Sequence, residues 1–177
     1  TKITADGFNA LASFNYPHLC DAGVNFSFHE HHILKPDFTR TMIPHTALDH
    51  NVVVFSLFPG VQESIVRHIL DAPELRSIVM RSYGSGNAPQ KPWLMRILKE
   101  ASYRGVIIVN ISQCISGQVE MSRYDTGYQL KDAGVISGYD STVEAAVTKL
   151  MFLQASNTDY HKIRNYMNRD IAGEITL

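Results

Sequence analysis

Several things are scarce in this chain, and each shortage excludes a class of function. It has two cysteines, Cys20 and Cys114, far apart and without CxxC spacing, so neither a disulfide framework nor a thiolate zinc site is supported. A reducing, cytoplasmic setting is the expectation. Charge imbalance is almost absent, with a formal net charge of −1 over 177 residues, which gives no electrostatic reason to bind nucleic acid or an anionic membrane surface. No apolar run approaches the roughly 20 residues needed to span a bilayer, and the opening residues Thr-Lys-Ile-Thr-Ala-Asp-Gly carry no signal-peptide pattern. The first residue is not methionine, from which further sequence upstream is expected. There is no internal repeat and no low-complexity tract.

What the chain does have is a hydrophobic content of 45%, enough for one ordinary core, arranged as alternating short β-branched runs and helical stripes. Asn51-Val52-Val53-Val54-Phe55-Ser56-Leu57-Phe58 is a continuous apolar run closed by Pro59-Gly60, the pattern of a buried parallel strand. Val61, Ile65 and Ile69 recur at helical spacing before Asp71-Ala72-Pro73 stops the helix. Residues 75–80 read as a second strand, followed by the glycine loop Ser82-Tyr83-Gly84-Ser85-Gly86-Asn87. Leu94, Ile97, Leu98 and Ala101 mark one face of the next helix, and residues 106–111 form a third strand. Residues 112–141 are polar and glycine-punctuated and read as a long functional loop. The capping-box match Ser141-Thr142-Val143-Glu144 opens a helix with a Val143, Val147, Leu150 stripe, and a last helix starts near Thr158 or Asp159 and packs through Ile163 and Met167. Strand–helix alternation of this kind predicts an α/β domain with a parallel sheet flanked by helices.

Residues 1–35 read differently. A short helix-like segment lies around residues 5–14, Pro17 makes a turn, and Val24-Asn25-Phe26-Ser27-Phe28 is a strand. These pieces are too few to bury a core alone. The division expected is therefore the end of an N-terminal domain at 1–35, an extended connector at 36–50, and a C-terminal α/β domain at 51–177.

The glycine loop is the first place to look for chemistry. A phosphate-binding P-loop needs Lys-Ser or Lys-Thr after its last glycine, and Asn87-Ala88 stands there instead. A dinucleotide fingerprint needs a third glycine and an acidic residue about twenty positions on, and neither is present. What remains is a loop at the carboxyl end of a strand, where open α/β sheets bind ligands. Arg81 suits a carboxylate, Ser82 adds a hydroxyl, and Asn87 suits an amide or an α-amino group; glycines serving only a tight turn, with Arg81 in a surface pair, fit the spacing as well. In His29-Glu30-His31-His32, His29 and His31 would share one face of a strand, but the HExxH spacing and a third ligand are missing, so no metal is expected. Cys114 ends the third strand without a histidine nearby in sequence and reads as a site-lining or packing thiol. Tyr124 and Asp125 fit a mobile polar lid or an ordinary surface equally. Lys2 is either a solvated ammonium or a desolvated general base toward a hydroxyl.

Four segments together resemble one family. Thr1-Lys2-x-x-Ala5-Asp6-Gly7-Phe8-Asn9-Ala10, Arg81-Ser82-Tyr83-Gly84-x-Gly86-Asn87-Ala88-Pro89, Gln113-Cys114-x-Ser116-Gly117 and Thr142-Val143-Glu144-Ala145 are similar, in order and spacing, to the bacterial type I cytoplasmic L-asparaginases. The resemblance covers essentially the whole chain. It implies an amidohydrolase that converts L-asparagine to aspartate and ammonia through a threonine acyl-enzyme, without a cofactor. It also implies a homodimer or homotetramer with active sites near the subunit contact. Lys2 matches the family's catalytic lysine. Thr1, Arg81 and Cys114, with Ser82 beside them, match positions of an allosteric asparagine site. Asn87 matches a loop asparagine near the subunit boundary, and Tyr124 a tyrosine near the active site. The family's Thr-Gly-Gly-Thr segment and catalytic Thr-Asp pair are not in this sequence; Thr158-Asp159 opens a terminal helix instead. The chain therefore resembles a C-terminal half, with its nucleophile expected upstream. Two alternatives stay open: an amidotransferase subunit that releases ammonia for tRNA-dependent amidation, and a non-catalytic sensor of asparagine or aspartate.

Overall fold

Runs of β-branched residues bounded by Gly and Pro become strands here, and the stripes between them become helices. The computed structural model describes residues 1–123, 125–156 and 159–177; Tyr124, read as lid or surface, and Thr158, one of two expected helix starts, lie outside the described residues. The chain forms two compact units, Thr1–Thr46 and Ala47–Leu177.

The second unit is built on a four-stranded parallel sheet in sequential order: β3 (Val52–Ser56), β4 (Ser77–Ser82), β5 (Ile107–Ser112) and β6 (Ile136–Ser137). Val52 pairs with Ser77, Ser77 with Ile107, and Val109 with Ile136. The connections are α1 (Glu63–Leu70), α2 (Pro92–Tyr103) and α3 (Asp125–Asp132); α4 (Val143–Ser156) and α5 (Tyr160–Met167) follow. The expected fold class, an α/β domain with a helix-flanked parallel sheet, is the one observed.

Strand alternation divides the core in two. Ile78, Met80 and Ile108 pack with Val66, Leu70, Leu94, Leu98 and Leu130 of α1 to α3. Val79, Ile107, Val109 and Ile111 point the other way and pack with Leu150, Leu153, Ile163 and Met167 of α4 and α5. Each such side chain withdrawn from water contributes roughly 1.5–3 kcal/mol, and this two-sided burial is why β4 and β5 read as continuous apolar runs rather than as alternating ones; β3, expected to be buried, lies at the sheet edge, where Phe55 is its one buried residue and Val54 is exposed.

Helix ends follow local chemistry. Asp159 caps α5, its carboxylate accepting from the N–H groups of His161 (2.8 Å) and Lys162 (3.2 Å), and those donors hold its pKa below the ordinary carboxylate value. Thr142, one residue after the serine of the expected capping box, caps α4 by accepting from the Ala145 N–H at 3.2 Å. Pro92 begins α2, where a missing N–H costs nothing.

Several expectations need correction. The long loop expected at 112–141 contains α3 and β6; α3 was illegible because Asp-Thr-Gly-Tyr-Gln-Leu-Lys-Asp carries a single large buried apolar side chain, Leu130. In α1 the buried residues are Val66 and Leu70, while Ile65 is exposed; of the expected stripe, Ile69 packs partly against the core and Val61 lies before the helix begins at Glu63. β4 begins two residues later than expected and runs to Ser82, which puts Arg81 and Ser82 in the strand rather than in the loop.

The first unit has no helix at residues 5–14. Gly7 takes a positive φ of 89° and the chain doubles back, with Lys2 bridged to Leu11 and the Ile3 N–H donating to the Ala10 carbonyl at 2.8 Å. β1 (Cys20–Ala22) pairs antiparallel with β2 (Phe26–Phe28). Glu30–His32 form a 3-10 turn, so His29 and His31 do not share a strand face; His29 instead lies 2.9 Å from the Asp21 carboxylate. None of residues 1–46 is buried.

Candidate ligand site at the strand ends

Tyr83 to Asn87 close a tight loop at the carboxyl end of β4: the Tyr83 N–H donates to the Asn87 carbonyl and the Asn87 N–H to the Tyr83 carbonyl, both at 2.8 Å. Gly86, at φ 106°, is required twice over. A side chain at that φ is strained, and an added Cβ would lie 2.7 Å from Val119 Cγ1.

Side chains from β5 hold the loop from below. Asn110 Nδ2 donates to the Gly86 carbonyl at 3.0 Å, and the Ser112 hydroxyl donates to the Gly84 carbonyl at 2.6 Å. Ser112 Oγ also accepts from the Cys114 N–H at 2.9 Å. Gln113 Nε2 donates to the carbonyls of Leu57 (2.6 Å) and Arg81 (2.9 Å), tying three strand ends together. Asn110 is fully buried, and its Oδ1 has no hydrogen-bond partner among the described residues. Asn110, Ser112 and Thr126 were not singled out from sequence, and Gln113 only as part of a quoted motif, without a role. The available signal was a polar residue inside the apolar run Ile-Ile-Val-Asn-Ile, since a buried amide must be hydrogen-bonded to be tolerated.

The predicted site residues fall out as follows. Arg81 sits near the end of β4 in register with Ser56 and Ile111, and alternation puts it on the Val79 face. Among the described residues it makes no ion pair, and its Nε is buried without a hydrogen-bond partner. Ser82 is fully buried, and its hydroxyl donates to the Ile111 carbonyl at 3.3 Å; it braces the strand end and cannot line a surface. Asn87 is half-buried, and its Oδ1 accepts from the Thr126 hydroxyl at 2.9 Å. Cys114 is an exposed free thiol. Arg81, Asn87 and Cys114 thus belong to one set of adjoining strand ends. Thr1 and Lys2 lie exposed in the first unit, where the Thr1 ammonium donates to the Ala12 carbonyl at 2.8 Å.

The sheet order runs without reversal, so no switch-point crevice forms between the described strands. Whatever binds here is met by loops and by the free guanidinium, not by a cleft in the sheet. Free cationic donors at a parallel strand end are suited to a small carboxylate.

Residues 51–167 match the glutaminase/asparaginase C-terminal domain family. The chain belongs to that family. It is 41% identical over 182 residues to L-asparaginase 1 of Escherichia coli (strain K12), an alignment covering 99% of this chain and 52% of that protein. The crystal structure of L-asparaginase I from Vibrio cholerae superposes with a TM-score of 0.93 at 38% identity, covering all of this chain and 53% of that one. A glutamyl-tRNA(Gln) amidotransferase component of Methanobrevibacter smithii is more distant, 34% identical over 129 residues, with coverage of 73% of this chain and 29% of that protein. The chain spans about half the length of these two asparaginases. No helix among the described residues is long and apolar enough to cross a membrane.

Proposed function

We propose that this chain forms the C-terminal part of a homo-oligomeric L-asparaginase that hydrolyses L-asparagine to L-aspartate and ammonia. The observation that carries this reading is the identity to L-asparaginase 1 across 99% of the chain, supported by the superposition on L-asparaginase I. The more distant amidotransferase takes second place on coverage.

In this reading the nucleophilic threonine comes from the part of the enzyme that this chain does not match. Its hydroxyl oxygen attacks the carboxamide carbon, the C–N bond breaks, ammonia leaves and an aspartyl ester remains; water then attacks the ester and releases aspartate. Lys2 Nζ takes the proton from a second threonine hydroxyl, helping to form the acyl-enzyme and then to activate the water that hydrolyses it. Asn87 serves at the subunit boundary, facing substrate, and Tyr124 is assigned to the active site by the family resemblance. Arg81 and Cys114 serve a separate regulatory site for the same amino acid, with the guanidinium of Arg81 on its carboxylate, and Ser82 holds that strand end in place.

Ammonia release from L-asparagine by the product of the complete gene tests the proposal. Activity that falls by at least a thousandfold on Lys2→Met is the expected outcome. Saturable asparagine binding without hydrolysis by the complete product would refute it and leave a sensor.

A further inference from the structure

Asn87 is the one proposed substrate-facing side chain whose amide orientation is constrained from within its own unit. Its backbone is locked by the reciprocal hydrogen bonds to Tyr83. Its Oδ1 accepts from Thr126 Oγ1 at 2.9 Å, and Thr126 is only 7% exposed. Thr126 is in turn held by its neighbour. A Cβ on Gly127 would collide with the Met121 backbone, so the absence of a side chain there lets the first turn of α3 press onto the 119–121 segment. That segment is anchored by the Glu120 N–H donating to the Ser85 carbonyl (2.8 Å) and the Val119 N–H donating to the Tyr139 carbonyl (2.9 Å). Two independent contacts thus place the Thr126 hydroxyl against the Gly84–Asn87 loop.

With the Thr126 hydroxyl donating to Oδ1, the Nδ2 end of the amide is the one left for a further partner. Asn87 Nδ2 has no acceptor among the described residues. We propose that Thr126 is a positioning residue that holds Asn87 as a donor, so that Asn87 meets a carboxylate or carbonyl oxygen and not the α-ammonium of an amino-acid ligand. This rests on the asparaginase reading and narrows it: of the two partners that an asparagine allows, the Thr126 contact selects the acceptor.

The test separates the two by sign. In asparagine hydrolysis by the complete gene product, Thr126→Val raises KM about tenfold with kcat within twofold, and Thr126→Ser, which keeps the hydroxyl, restores KM to within twofold of the parent. Asn87→Asp replaces the NH2 with an anionic oxygen and raises KM further. A lower KM for Asn87→Asp shows the side chain facing an ammonium and overturns the proposal, as does a Thr126→Val variant that matches the parent or a Thr126→Ser variant that fails to rescue. A second readout does not depend on catalysis: 15N relaxation of the Asn87 side-chain NH2 reports a rigid group in the parent and in Thr126→Ser, and a mobile one in Thr126→Val. Equal mobility in all three overturns the proposal. Rigidity lost only in Thr126→Val, in a protein that hydrolyses no asparagine, sustains the Thr126 constraint and refutes the asparaginase reading alone.

Discussion

Removing Arg81 should make the ligand-free protein more stable, not less. Its Nε is buried with no hydrogen-bond partner, and an unsatisfied buried donor costs roughly 1–3 kcal/mol. Because the residue as a whole is only half-buried, water solvates the rest of the guanidinium and the low end, about 1 kcal/mol, applies. Arg81→Met keeps the aliphatic stem and removes the donor, so the melting temperature rises by about 2–4 °C for a domain of this size. Ligand reverses the ranking. A carboxylate ligand at a hundredfold excess over its Kd stabilises the parent by about 2.7 kcal/mol, and without the guanidinium that gain is lost. Thermal unfolding with and without L-asparagine, in a Lys2→Met background so that the amino acid is not consumed, should therefore show crossing order: the variant melts higher alone, the parent higher with ligand. A variant that melts lower than the parent without ligand, or that responds to asparagine equally, refutes the reasoning.

Lys149 and Glu174 form a buried ion pair, with Lys149 Nζ also donating to the Arg169 carbonyl. Burial pushes the Glu174 carboxyl up, but the Lys149 hydrogen bond, the backbone N–H of Ala172 and the Lys149 charge outweigh it and lower the pKa from 4.5 to about 2. A depressed carboxylate stabilises the fold fully above its unfolded pKa and loses that contribution as pH falls through the folded one. Urea midpoints should therefore drop between about pH 5 and pH 2 by an amount worth at most about 3 kcal/mol, and Glu174→Gln should flatten this dependence while costing about 3 kcal/mol at pH 7 by leaving the ammonium unpaired. Gly86→Ala places a Cβ 2.7 Å from Val119 Cγ1 at φ 106° and should destabilise by about 1–3 kcal/mol in denaturant unfolding; Val119→Ala added to it should recover only the steric share.

How far the sequence could be read depended on whether a residue's partners were near it in the chain. Pattern sufficed for α2, whose stripe Leu94, Ile97, Leu98 and Ala101 is its buried face, and for α5, where Asp159 signals the cap and Ile163 and Met167 the packing. It failed for α3, whose position is set by the close approach of Gly127 to Met121 and not by an apolar stripe of its own, and for residues 5–14, where a positive φ at Gly7 makes a reversal out of a helix-like spacing. The site shows the same division. Arg81 and Asn87 could be picked out because a glycine loop after a strand is a local motif. Asn110, Ser112 and Thr126 act on that loop from 24 or more residues away in sequence; a polar residue within an apolar run marks Asn110, but no local pattern names the partners of any of the three.

The sequential order of β3, β4, β5 and β6 has a bearing on how the chain is made. Each strand leaving the ribosome finds its partner already synthesised at the growing edge, so the sheet can zip up in the order of translation with no strand waiting for a later one. The opposite side is not so fortunate: Val79, Ile107, Val109 and Ile111 pack against α4 and α5, which are synthesised after all four strands. Until those two helices emerge, the nascent domain presents a sticky apolar wall, and that interval is where a chaperone holding unfinished chains has something to grip.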